Sequence, residues 1–367
     1  MEKKNKIEKK NKIEKKNKTN ENNYPFVSIC TPTFNRRPFF PYIIRCFENQ
    51  TYPKDKIEWI ILDDGMDKIK DLVTHIPQVK YYEYQEKLTL GKKRNLCHSF
   101  AKGEIIINMD DDDYYPPERI SHAVEMLMKN PTILCAGSSE MFIYFKHIHK
   151  MYKFGPYGPN HATAATFAFR KELLKQTSFQ EDACVAEEKH FLKNYTIPFV
   201  QLESMKSILV FSHSHNSFDK KKLLENLNSY VTLSDKTPSD FVKEPDVLQF
   251  FMNDIDILLE GYEPGDPKYK PDVLKQLDDI TKQREQAIIK HQMQNQETMQ
   301  KIQNANNSNN KTPTFLQNKI DEMTILIQEI TMENVQLKDK VLYLENKIKL
   351  LITQNIQDRR NNVIKDT

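Results

Sequence analysis

Four consecutive aspartates, Asp110-Asp111-Asp112-Asp113, follow an apolar run, Glu104–Met109, that reads as a strand. In extended chain, alternate side chains share a face, so Asp110 and Asp112 point the same way. Two carboxylates placed like this can hold a hard divalent cation and leave positions open for phosphate oxygens. Four adjacent negative charges also repel one another, and a cation relieves that repulsion. Most acidic runs are solvated surface. The position at the end of a buried strand is what turns this one into a candidate metal site.

Three further groups have the right chemistry to work beside it. Asp63-Asp64-Gly65 closes a second apolar run, Ile57–Leu62, although on its own it is ordinary turn chemistry. Gly91-Lys92-Lys93-Arg94-Asn95 opens a helical stretch, where basic side chains and free amides suit a diphosphate as well as plain capping. Glu187-Glu188 follows Glu181-Asp182 on another helical stretch and supplies candidate general bases, against the ordinary reading as surface carboxylates. His213-Ser214-His215-Asn216 follows the last apolar strand, and either histidine can complete an oxygen-rich metal site, though a lone histidine is more often structural.

These groups need a frame. Strands are predicted at Phe26–Thr31, Ile57–Leu62, Val79–Tyr84 and Glu104–Met109, with helices at Pro38–Asn49, Lys92–Ala101 and Pro117–Lys129. Alternation of this kind predicts an α/β fold with a mostly parallel, Rossmann-like sheet covered on both faces. Ligands of such sheets bind beyond the carboxyl ends of the strands, where the acidic groups lie. Beyond Ile133 the pattern is mixed, with short strands at Ile133–Ala136, Met141–Phe145, Thr166–Phe169 and Ile208–Phe211 and a helix over Ala186–Asn194. Gly261–Pro271 reads as a linker, and Asn304–Thr314 as a second break.

The C-terminal segment has five unbroken heptads. Ile320, Ile327, Asn334, Val341 and Ile348 fall at a, and Met323, Ile330, Leu337, Leu344 and Leu351 at d. β-Branched residues at a, leucine at d and one asparagine favour a parallel two-stranded coiled coil, hence a homodimer. The competing reading is one amphipathic helix packed on its own domain.

In order and spacing, Pro32-Thr33-Phe34-Asn35-Arg36, Leu62-Asp63-Asp64-Gly65, Gly91 with Arg94-Asn95, Ala101-Lys102-Gly103-Glu104 and Met109 through Asp113 resemble the family 2 glycosyltransferases of the A-type nucleotide-sugar fold. The resemblance covers about residues 25–220. It implies that Pro32, Thr33, Phe34, Asn35, Arg36 and Asp64 surround the nucleotide, with Asp64 accepting from the base. It further implies that Arg94, Asp110 and Asp111 lie by the ribose and diphosphate, and that Asp112, with Asp110 and His213 or His215, holds the metal, Mn2+ or Mg2+. Glu188 is then the general base, with Glu187 as its alternative and Glu181 or Asp182 still open, because Ala-Glu-Glu-Lys stands where the family more often has Glu-Asp. The expected reaction is inverting transfer from a nucleotide diphosphate-sugar, UDP by family habit, to a glycan, protein or lipid hydroxyl. A coiled-coil scaffold displaying an inactive transferase-like domain is the alternative. A nucleotidyltransferase is disfavoured because the loop after the first strand has no glycine.

Composition limits the remaining choices. Apolar residues are 38% and charged residues 29%, which leaves part of the chain as tail, linker or exposed helix. Residues 1–20 hold nine lysines against three glutamates, a local +6 within a total of +3, so the remainder carries −3 and no nucleic-acid partner is expected. Five cysteines without a CxxC pair suggest reduced thiols and a cytoplasmic setting. No apolar run reaches the roughly 18 residues of a spanning helix, and the N-terminus is polar, without a signal-peptide core. The Lys, Asn and Ile bias suggests an AT-rich genome, and similar enzymes occur in large DNA viruses as well as microbes. Host cytoplasm or a virion are therefore the locations expected of a viral member. The expected domains are a disordered basic repeat tail (1–23), the catalytic domain (24–220), a helical extension and linker (221–271), a polar helix with an Asn-rich linker (272–314), the coiled coil (315–355) and a disordered tail (356–367).

Overall fold

Strand β1 (Val27–Thr33) is buried at every position, as a central strand covered on both faces must be. In the computed structural model, which describes residues 24–225, 228–308 and 319–327, it pairs in parallel with β2 (Ile57–Asp63), which is equally buried. Strand β3 (Val79–Glu83) flanks β2, and β4 (Ile105–Asn108) flanks β1 on the other side, both in parallel. Register sets Thr33 opposite Asp63, so β1 and β2 end together, and Cys30 opposite Asn108, so β4 ends slightly earlier; being parallel, all three send their following loops to one edge of the sheet. Helices α1 (Phe40–Glu48), α2 (Leu90–Phe100) and α3 (Arg119–Lys129) come from the same alternation the sequence shows.

The seven-stranded sheet is mixed, with four of its six strand pairs parallel, and the antiparallel pairs lie beyond β4 where the sequence pattern is also mixed. Strands β5 (Cys135–Gly137), β6 (Met141–Phe145), β7 (Lys150–Phe154), β8 (Ala168–Arg170) and β9 (Phe199–Gln201) follow in the chain. The seven-stranded sheet runs β3-β2-β1-β4-β8-β5-β9, with β8 antiparallel to both neighbours. A second sheet runs β10-β6-β7-β11, adding β10 (Leu209–Ser212) and β11 (Val231–Leu233). Strands β7, β9 and β11 are not among those the sequence predicts.

Residues 238–260 belong to the main core. Phe241, Val247, Phe250, Phe251, Ile255 and Leu259 join the hydrophobic cluster that contains Phe39, Ile43 and Trp59. Phe250 stacks on Tyr42 with ring centroids 3.6 Å apart, and Phe251 stacks on Phe211 at 4.8 Å. The boundary expected near residue 220 is therefore not a structural one, and the compact unit runs to Gln283. Phe250→Ala is expected to destabilise the fold by about 3–5 kcal/mol through the cavity it leaves. Urea unfolding measures this; wild-type stability would make residues 238–260 an add-on.

Gly261–Pro271 does not behave as a free linker. It forms two short 3-10 turns, Glu263–Gly265 and Pro267–Tyr269, and then enters α5 (Pro271–Ser308). The second unit spans residues 284–367, and its described part comprises the remainder of α5 and a helical stretch at 319–327. The heptad repeat lies outside the described residues apart from 319–327, where Ile320, Met323 and Ile327 are exposed. Among the described residues no helix is long and apolar enough to cross a membrane.

Candidate functional site

The loops after β1, β2 and β4 carry most of the residues singled out above, and the parallel register brings them together. After β1, Asn35 takes a left-handed backbone (φ 52°), which asparagine tolerates better than most residues. Its side-chain oxygen accepts from the Met66 and Asp67 amides at 2.7 and 3.1 Å, and its amide donates to the Pro264 carbonyl at 2.8 Å. Asn35 is thereby the tie between the β1 loop, the β2 loop and the 261–271 segment.

Asp63 is consumed by structure. It accepts from the Gly65 and Ile69 amides and from the Tyr81 hydroxyl, at 2.9, 3.0 and 2.7 Å. Asp64 has a fully buried side chain that accepts from the Leu88 amide at 2.6 Å and from the Lys93 ammonium at 2.8 Å. Lys93 also lies 5.8 Å from the Phe34 ring centre, and Lys87 lies 5.4 Å from it. The sequence reading named Lys93 only as one of several basic residues at a helix start; its contact with Asp64 needs the fold.

Arg36 is 3% exposed and sits among the carboxylates. One guanidinium nitrogen lies 3.2 Å from Asp112 Oδ2 and donates to the His215 carbonyl at 2.9 Å, while Nε is 3.6 Å from Asp111 Oδ1. Burial raises the Asp111 carboxyl to about 6, against the pull of Arg36 and with repulsion from Asp112. Burial acts on Asp112 too, but Arg36 and His213 outweigh it and hold this carboxyl well below the usual range. Asp113 is buried and pushed up by burial and by Asp112, so it is the member of the run that favours its neutral form.

His213 Nε2 lies 3.4 Å from Asp112 Oδ2, and burial pushes its pKa down to about 3, leaving a neutral imidazole. An oxygen and a nitrogen bound side by side to one cation at about 2.1 Å stand roughly 3 Å apart, so this pair suits a shared divalent metal. Asn216 Nδ2 contacts the same imidazole nitrogen at 2.7 Å and has to yield its place to a metal. Among the described residues no three His, Cys, Asp or Glu side chains are grouped to hold a metal by themselves. Asp110 is turned instead to Arg94, at 3.1 Å. His215 contributes its backbone carbonyl to Arg36, so of the two histidines it is His213 whose ring meets the acidic run.

Arg94 is the hinge of the site. Its guanidinium is 2% exposed, bonds Glu187 at 2.9 Å and Asp110 at 3.1 Å, and leaves Nη1 buried without a partner. Burial works against its charge, and the two carboxylates more than restore it. The Gln180–Ala183 segment reaches α2 because residue 91 is glycine: a Cβ there would meet the Gln180 carbonyl oxygen at 1.8 Å. The Gly91 amide donates to the Ala183 carbonyl at 2.8 Å, so this helix-start amide is used within the fold. Ala186, with φ 54°, then turns the chain so that Glu187 points inward to Arg94. Helix α4 (Glu188–Phe191) starts there and is a single turn, shorter than the Ala186–Asn194 expected. Three left-handed residues, Lys193, Asn194 and Tyr195, end it. Glu188 makes no ion pair and no hydrogen bond to another residue's side chain among the described residues. Burial and the neighbouring Glu187 raise its carboxyl to about 7.

The model of the glycosyl transferase family 2 matches residues 28–190, the part of the chain that carries this constellation except His213. The poly(ribitol-phosphate) beta-N-acetylglucosaminyltransferase TarS of Staphylococcus aureus is 26% identical over 113 residues, 27% of this chain and 18% of that protein. The hyaluronan synthase of Pasteurella multocida is 30% identical over 122 residues, 31% of this chain and 12% of that protein. The chain thus matches less than a fifth of the length of either relative. Among solved structures, S. aureus TarS 1-349 in complex with UDP is similar with a TM-score of 0.39 and 19% identity over 52% of this chain and 61% of that one. A mannosyltransferase of Pyrobaculum calidifontis in complex with GDP-Man and Mn2+ is similar with a TM-score of 0.43 and 16% identity, over 62% and 70% of the two chains. None of these comparisons indicates a viral origin. Residues 28–190 form a glycosyltransferase family 2 domain.

Proposed function

We propose that this chain transfers a sugar from a nucleotide diphosphate-sugar, with UDP as the nucleotide, to an acceptor hydroxyl on a glycan, protein or lipid, and inverts the anomeric configuration. The observation that carries the reading is the junction at Arg94. One buried guanidinium joins Asp110 of the acidic run to Glu187, the residue before an unpaired Glu188. Donor-side and acceptor-side carboxylates are thereby held in one rigid assembly.

Phe34 offers its ring to the base, and Asp64 serves the nucleotide by orienting Lys93 and the Leu88 amide. Asp112 and His213 hold Mn2+ or Mg2+, with Asp110 and Asp111 toward the ribose and diphosphate. When bound, the metal neutralises charge on the departing diphosphate. Glu188 takes the proton from the acceptor hydroxyl as that oxygen attacks the anomeric carbon from the face opposite the diphosphate. Direct displacement inverts the centre and needs no covalent nucleophile. The heptads over 315–355 support a homodimer as the working form.

Calorimetric titration of the full chain with UDP, with and without Mn2+, tests the reading. Binding that requires the metal, followed by release of UDP from a UDP-sugar, is the expected result. Absence of binding by UDP, GDP and other nucleoside diphosphates would leave a scaffold with an inactive domain.

A further inference from the structure

Lys270 is a buried lysine with no counterion among the described residues. It comes from the 261–271 segment, outside the part matched by the family, and is only 6% exposed. Its ammonium donates to the Ser217 hydroxyl at 2.8 Å and stands 6.0 Å from the Phe34 ring centre. The other two lysines around that ring are paired: Lys93 with Asp64, and Lys87 with Asp272. Lys270 has no ion pair among the described residues. Burial and repulsion from Arg36 push its pKa down to about 7, against the attraction of Asp111 and Asp112, and Lys93 adds to the repulsion. Arg36 already occupies the near side of both carboxylates.

An ammonium taken out of water without a partner is unfavourable by several kcal/mol unless an anion joins it. The protein keeps it in place with some care. Asn35 and Arg36 bond the Pro264 and Gly265 carbonyls at 2.8 and 3.4 Å, and Tyr262 donates to Asp67 at 2.9 Å. Gly265 packs so closely that a Cβ would come within 2.8 Å of His215 Nδ1 and 2.9 Å of the Asn35 carbonyl. Past Lys270, Gln276 accepts from the Cys184 and Val185 amides at 2.7 and 3.0 Å, which ties the same strap to the chain leading into Glu187-Glu188.

We propose that Lys270 is a ligand of the donor's diphosphate, delivered over the site by the strap of residues 261–271. The inference rests on the nucleotide-sugar reading above and adds a contact from outside the family domain. The ammonium meets phosphate oxygens between the Phe34 ring and the Asp111-Asp112 pair, and is carried away from water only when the strap is seated. Lys270 then recognises phosphate charge and contributes nothing to the nucleoside.

Two variants of the full chain, Lys270→Met and Lys270→Arg, separate this role from simple packing. Each is titrated in Mn2+ with UDP and uridine, and with GDP and guanosine in parallel. Lys270→Met is expected to weaken the diphosphate at least tenfold and the nucleoside less than twofold, and Lys270→Arg to recover most of the loss. Without nucleotide, Lys270→Met is expected to melt at or above the wild-type temperature, since it removes a buried amine whose charged form has no ion pair among the described residues. Unchanged diphosphate binding overturns the proposal, and so does an equal loss for nucleoside and diphosphate, which would make Lys270 a strap anchor only. A wild type that binds no nucleoside diphosphate fails the nucleotide-sugar reading itself, and this inference with it.

Discussion

Replacing Asp112 by alanine is expected to abolish metal-dependent nucleotide binding and to lower sugar transfer by about three orders of magnitude. Loss of charge stabilisation on a leaving diphosphate has effects on the order of 10²–10³ or more in rate. Asp112 is the choice within the acidic run for a structural reason. It is the member held ionised by Arg36, and its Oδ2 faces His213 Nε2 at 3.4 Å. Asp113 is buried and leans to its neutral form, and Asp110 is committed to Arg94. Calorimetry with UDP and Mn2+ gives the answer, with a thermal melt to show that the variant is folded. Full metal-dependent binding by folded Asp112→Ala would remove this residue from the metal site.

Glu188→Gln is expected to cut turnover by about 10²–10⁴ while donor binding stays within twofold of wild type. Glutamine keeps the shape and takes away the basicity. A base with a raised pKa of about 7 works only when ionised, so the wild-type rate is expected to rise with pH through that value and then level off. The variant should lose that rise. Stability moves the other way: a carboxyl whose folded pKa exceeds its unfolded value loses stability as pH increases from the unfolded pKa to the folded one. Glu188→Gln should therefore match the wild type in acid and melt higher above pH of about 7. The neighbouring substitution discriminates between the two glutamates. Glu187→Gln leaves the buried Arg94 with Asp110 alone, and its main effect should be a loss of stability. Turnover lost in Glu187→Gln but kept in Glu188→Gln, with both proteins folded, would exchange their roles.

Local pattern was enough for the first half of the molecule. Short strand-forming runs define β1 to β4, three of them followed by a polar turn and one of the helices α1 to α3, and set Asp63-Asp64 and the four aspartates at strand ends. After β4 the regular alternation with helices ends: the sequence still places β5, β6, β8 and β10, but it does not give the antiparallel entry of β8 and does not show β7, β9 and β11.

Residue type and spacing by themselves determined which atoms are available for chemistry: the carboxylates of 110–113, the glutamates at 187 and 188, the basic helix start and His213. Tertiary structure alone decided how they pair. Arg36 takes Asp111 and Asp112, Arg94 takes Asp110 and Glu187, and Lys93 takes Asp64, because a buried guanidinium or ammonium must find its charge partners across the fold. Asp63 and Asp64 are adjacent in sequence, yet one holds three local donors and the other holds a lysine, according to which way each points at the end of β2. Lys270 lies in Gly- and Pro-rich chain that reads as a linker, since glycine and proline report a turn and not what the turn rests upon. Its place beside Phe34 is a property of long-range packing, which no local pattern records.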